Sequence, residues 1–200
     1  MRSLLHIALF SMAAMTALGQ VPAASPAGTP PVKTSAYMRP DKQERVDRYI
    51  KSMFGWTTIG KNIASAGIST WTDSPKEWGP HWSGFGKRFA SNVGKGVIKN
   101  TTEFGLEEAF KLDSRYIRAD HKSIGRRIGN ALISPFIARN ENGGRVFGFP
   151  RIAGIYASSI IAAETWYPAR YGWRDGMRSG TISLGTTALF NLVKEFAHRR

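Results

Sequence analysis

The chain has 200 residues, a formal charge of +14 from 28 Lys and Arg against 14 Asp and Glu, and no cysteine. This length suits a single domain. The missing thiols exclude disulfides, thiol catalysis, cysteine-ligated zinc and a lipid anchor on an N-terminal cysteine. The positive balance either points to acidic neighbours or serves solubility.

Met1-Arg2 is followed by the apolar run Leu4-Leu5-His6-Ile7-Ala8-Leu9-Phe10, and small residues stand at Ala17 and Gly19. The pattern predicts a secretory signal peptide over residues 1–19, cut before Gln20, because the run is too short for a membrane span. Export to the periplasm or outer envelope turns the basic charge away from nucleic acid. It favours anionic lipid, an envelope polymer or an envelope protein as partner. Residues 20–40 carry Pro22, Pro26, Pro30, Pro31 and Pro40 among small residues and read as a disordered linker.

A helical domain is predicted over 41–200. From Asp41, the apolar residues Val46, Tyr49, Ile50, Met53, Phe54 and Ile63 recur at helical spacing, and Gly55, Gly60 and Gly67 predict a break. Ser74-Pro75-Lys76-Glu77 carries the capping-box pattern of a short helix that Gly79-Pro80 ends. A long helix is expected from Ser83 to Lys111 and a third from Ser123 to Ala138, with Asn140 to Gly144 as a turn. A fourth runs from Pro150 to Trp166 and a fifth from Gly172 to His198. The apolar stretches of the last two are shorter than the ~20 residues of a membrane span and are closed by charges. The expected fold is all-α, a single compact bundle of about five helices, peripheral to a membrane rather than spanning it.

Gly172, Gly176 and Gly180 stand four apart, as do Gly125 and Gly129. Residues at that spacing share a helix face, so these glycines predict close helix contacts; the alternative is that some lie in loops. Chemistry is thinly represented. Glu77 and His81 are interrupted by Gly79-Pro80, and no phosphate loop, zinc pattern or nucleophile elbow occurs. The sequence therefore assigns no catalytic residue, cofactor or metal. Glu103, Asp113, Arg115 and Tyr116 read as a buried polar link between helices. Arg126, Arg127, Arg199 and Arg200 read as contacts to an anionic surface.

The second half resembles a family of uncharacterised exported bacterial proteins. The resemblance rests on Glu103-Phe104-Gly105-Leu106, Asp113 to Tyr116, Arg126 to Ala131, Phe136 to Arg139, Gly143-Gly144-Arg145, Gly154, Tyr167-Pro168 and Asn191 to Phe196. It covers about residues 80–197. Relatives carry proline where Ser114 stands and asparagine near Gly148. The resemblance implies an exported helical domain and lends no catalytic residues. The expected function is a non-enzymatic envelope protein docking on an anionic membrane surface or a protein partner. The alternative is an envelope-acting enzyme using carboxylates such as Glu103 and Asp113. A cleft holding Glu103, Asp113 and Arg115 together would favour the enzyme.

Overall fold

In the computed structural model, which describes residues 37–118 and 123–197, Asp41 opens the first helix. Its carboxylate accepts the Glu44 backbone N–H at 2.7 Å, satisfying one of the donors that a helix start leaves free. Helix α1 spans Lys42–Phe54 and α2 spans Trp56–Trp71. The predicted break falls at Gly55, whose backbone is extended. A side chain there would strike the Lys51 carbonyl oxygen.

The capping box at Ser74 does not form. Lys76–Trp78 is a single 3-10 turn without a side-chain cap, and the Ser74–Pro75 peptide is cis. The buried Arg88 competes for this loop. Its guanidinium donates to the carbonyls of Ser74 at 2.9 Å, Gly79 at 2.6 Å and Pro75 at 2.7 Å. Glu77 pairs with Arg170 at 2.7 Å instead.

Arg88 belongs to α3, Trp82–Ala109, which is 28 residues long and so roughly 42 Å at 1.5 Å per residue. Helix α4 ends earlier than expected, spanning Ile124–Ile133. Pro135 lacks the N–H that a longer helix would need, and Ser134–Phe136 tightens into a 3-10 turn. Residues assigned to helix then become strand: β1, Ile137–Arg139, pairs antiparallel with β2, Arg145–Phe147. The predicted turn joins them, with the Asn140 side chain accepting the Gly144 N–H at 2.8 Å. Asp113 adds one rung, exchanging both backbone bonds with Arg139 at 2.8 Å. Helix α5 spans Phe149–Thr165 and α6 spans Trp173–Phe196.

The described residues are mostly helical and belong to one unit. Helix α5 lies between α3 and α6, α1 and α2 lean on α3, and α4 leans on α6. Two glycine seats set the α5–α6 approach. A Cβ at Gly176 would lie 2.6 Å from Ile160 Cα, and one at Gly180 would lie 2.6 Å from the Tyr156 ring. The other predicted glycine contacts fail. An added Cβ at Gly125 or Gly129 meets no described atom within 4 Å, and Gly172 precedes α6 with only ordinary contact to Glu164. Gly154 supplies a seat that the spacing did not show: its Cβ would lie 2.6 Å from the Lys99 carbonyl oxygen, fixing α5 against α3.

The interior is unusually polar. Its apolar members are small: Ala66, Ala131, Ala138, Ala162 and Ala163 beside Leu112, Ile155 and Leu184. Arg88, Arg151, Asp113, Asn191, Glu195 and several serines are buried with them. Large apolar side chains sit outside instead, including Trp56, Phe54, Ile68, Ile182, Leu189 and Val193. No described helix is long and apolar enough to cross a membrane.

Candidate functional site

Helix α3 carries Glu103 and Glu107 one turn apart, and the chain leaving it carries Asp113 and Arg115. The spacing puts both glutamates on one face. They meet Arg48 of α1, Arg151 of α5 and Lys194 of α6 around a cavity of about 330 Å³. Glu103, Asp113 and Arg115 thus line one cleft, the arrangement that the sequence reading set as favouring the envelope-acting enzyme over simple docking. Tyr116 is not part of the group. It donates to Glu195 on α6, and burial followed by that bond pushes its hydroxyl up to about 12.

Asp113 is the hub of one wall. It accepts the Tyr37 hydroxyl at 2.6 Å and the Arg115 backbone N–H at 3.0 Å. Its other charged neighbours are Arg115 Nε at 2.9 Å and Arg48 at 3.6 Å. Burial and the bond to Asp113 push the Tyr37 hydroxyl up to about 12. Outside this wall, Arg45 grips Glu108 with two bonds of 2.5 and 2.9 Å, and Arg39 adds a third at 3.3 Å.

Glu103 forms the opposite wall, accepting from Lys99 at 2.9 Å and Arg151 at 3.1 Å. Burial alone would raise its carboxyl, but the charges of Lys99 and Arg151 outweigh it and hold the group below the ordinary value. Glu107 goes the other way. Burial raises it, the Glu103 charge adds to the rise, and the Ser114 N–H at 2.8 Å offsets only part. Two carboxyls one helical turn apart are thereby pushed in opposite directions. Lys194 stands at the rim, with no carboxylate among the described residues within ion-pair distance. Burial, then Lys61 and Arg151, lowers its pKa.

The surface arginines divide. Arg126 is exposed on α4. Arg127 is not available to a surface: its guanidinium donates to the Glu195 carboxylate at 2.8 Å and to the Glu195 carbonyl at 2.6 Å, over the Phe196 ring. A buried carboxylate on α6 captures it. Arg199, Arg200, the predicted signal peptide over 1–19 and residues 20–36 of the predicted linker lie outside the described residues; the last part of that linker, 37–40, is not disordered as expected, because Tyr37 bonds to Asp113 and Arg39 to Glu108.

The far end of the bundle is aromatic. Helix α3 runs antiparallel to α5, with Gly94 against the Trp166 ring and Gly154 against Lys99, and α6 returns antiparallel to α5. The start of α3, the end of α2, the end of α5 and the start of α6 therefore share one end. Trp78 packs edge-on to Tyr167 there, and Arg170 bridges to Glu77. Trp71, Trp82 and Trp173 project from this end at 88%, 85% and 57% exposure. Behind them a second cavity, of about 390 Å³, is walled by hydroxyls such as Ser65, Ser69, Ser159 and Tyr167 together with Lys95.

Sequence reasoning missed Lys99, Arg151 and Lys194 as cavity residues. Lys99 was detectable through its four-residue spacing to Glu103, and Arg151 as a lone charge entering an apolar helix. No protein-family model matches the chain, and neither curated proteins nor solved structures give a match.

Proposed function

We propose that this is an exported, non-enzymatic protein of the cell envelope that docks peripherally on an anionic bilayer through its tryptophan end. The observation that carries this reading is the projection of Trp71, Trp82 and Trp173 from one end of the bundle. Amphipathic rings of this kind favour the boundary between headgroups and acyl chains. The excess of 28 basic over 14 acidic residues supplies the attraction to anionic headgroups. The basic, apolar start of the chain, Met1 to Gly19, supports export.

Vesicle flotation of the full chain tests the docking. The protein should float with phosphatidylglycerol vesicles at low salt and less with neutral vesicles or at high salt. The combined Trp71→Ser and Trp82→Ser variant should float much less, since each buried ring contributes on the order of 2 kcal/mol. Both proteins keep the apolar run at residues 4–18, so a difference between them reports on the tryptophans. Equal flotation of variant and wild type would remove the reading.

A second reading is supported by the opposed carboxyls. A Glu107 held toward its protonated form beside an ionised Glu103 is the arrangement of an acid and a base in one cleft. An envelope-acting hydrolase would lose its turnover in Glu107→Gln while remaining folded.

A further inference from the structure

We infer that the charged cavity is a binding site for a doubly charged anion, specifically a phosphate monoester, with Lys194 as its free anchor. The inference stands apart from the docking reading, because the cavity and the tryptophan end are different parts of the bundle.

The argument is one of charge. On the wall made by α3, α5 and α6, three cations line the cavity: Lys99, Arg151 and Lys194. Glu103 is the carboxylate that pairs with two of them, at 2.9 and 3.1 Å. Lys194 is left without a carboxylate partner among the described residues, and its own surroundings include the further positive charges of Lys61 and Arg151. Across the cavity, Arg115 is committed to Asp113 and Arg45 to Glu108. Arg48 reaches Asp113 only at 3.6 Å and otherwise leans on the exposed Glu44. Glu107 lies on the same wall as a second carboxylate, held by the Ser114 backbone N–H and by no cation within ion-pair distance among the described residues.

Six cations line the cavity against the carboxylates Glu103, Glu107 and Asp113 and the Glu108 that Arg45 holds, which leaves a surplus of two, Lys194 and the loosely held Arg48. A phosphate monoester carries about −1.5 to −2 at neutral pH and matches that surplus. Its oxygens suit both an ammonium and the guanidinium fork. The cavity, about 330 Å³, is at the small end of ligand sites and fits a compact ester. Lys194 stands at the rim, where an entering ligand meets it first, while Arg151 lies at the buried end.

Calorimetric titration of the full chain without vesicles tests this, using glycerol phosphate, inorganic phosphate, succinate and dispersed short-chain phosphatidate. The site should bind glycerol phosphate or phosphatidate more tightly than succinate. Binding of glycerol phosphate assigns a free ester; binding of phosphatidate alone assigns a lipid headgroup. Lys194→Gln, an exposed position that leaves the buried ion pairs intact, should weaken binding by about tenfold or more. Arg126→Gln, exposed on α4 away from the cavity, should not. The Trp71→Ser and Trp82→Ser protein should still bind glycerol phosphate, which separates this site from membrane docking. Absence of binding by either ester, equal binding of succinate, or an unchanged affinity in Lys194→Gln overturns the assignment.

Discussion

Glu107 shows how a residue's environment sets its chemistry. It differs from Glu103 by one helical turn, yet Glu103 lies between two cations while Glu107 has burial and a neighbouring carboxylate. A carboxyl whose pKa is higher in the folded state holds its proton more tightly there. Its contribution to stability is complete below the unfolded value and is lost as pH rises through the folded one. Glutamine copies the neutral form and keeps an oxygen for the Ser114 N–H. Melting curves of Glu107→Gln should therefore lie above the wild type at about pH 8 and converge with it at about pH 4. A variant that melts below the wild type at the higher pH would show an ionised, well-compensated carboxylate. Glu103, Asp113 and Arg115 were legible as a polar link because charges that interrupt apolar runs need partners. Tyr116 is a polar link as well, but to Glu195 of α6 rather than into the cavity, and that partner, about eighty residues away in sequence, lies beyond any local spacing.

Among elements, the glycines show the limit of periodicity. A four-residue spacing says which residues share a helix face, not whether that face has a neighbour. Gly176 and Gly180 face α5; Gly125 and Gly129 face no described atom at that range. Opposite effects follow. Gly176→Ala would press against the Ile160 backbone and should destabilise by ~1–3 kcal/mol. Gly129→Ala, with open space, should gain up to ~1 kcal/mol of helix propensity. Urea unfolding of the two variants checks the signs, and a stabilised Gly176→Ala would mean that the α5–α6 seat is not close-packed. The long helices were legible within about two residues, from Ser83 read against Trp82 to Trp166 read against Thr165. The hairpin after α4 was not. The three-residue strands β1 and β2 are too short to show an alternating pattern, and β1 gains its second partner from the distant Asp113.

For the molecule as a whole, the polar interior and apolar exterior matter more than any one site. Buried Arg88, Arg151 and Glu195 coexist with exposed Trp56, Ile68, Leu189 and Val193. Each of these side chains leaves apolar area in water that a partner or a micelle could cover. Anything that covers it in the folded state alone adds stability by mass action. Mild non-ionic micelles should therefore raise the thermal midpoint, by about 2–4 °C for each ~1 kcal/mol gained. A midpoint unchanged by micelles would show that the surface does not take up an apolar cover. Composition hid this arrangement, because 42% hydrophobic residues is an ordinary share and says nothing about which side they face.

Helix α6 has a consequence in time. It supplies Gly176 and Gly180 to seat α5, and Glu195 to hold Arg127 of α4 and Tyr116. These are contributions from the most C-terminal of the described helices. At about 5–20 residues per second, its 24 residues emerge over roughly one to five seconds, after the other described helices. Until then α4 lacks its ionic latch and α5 lacks one flank. The closure of the described bundle is thus tied to one helix, and the contacts of three other segments wait on its arrival.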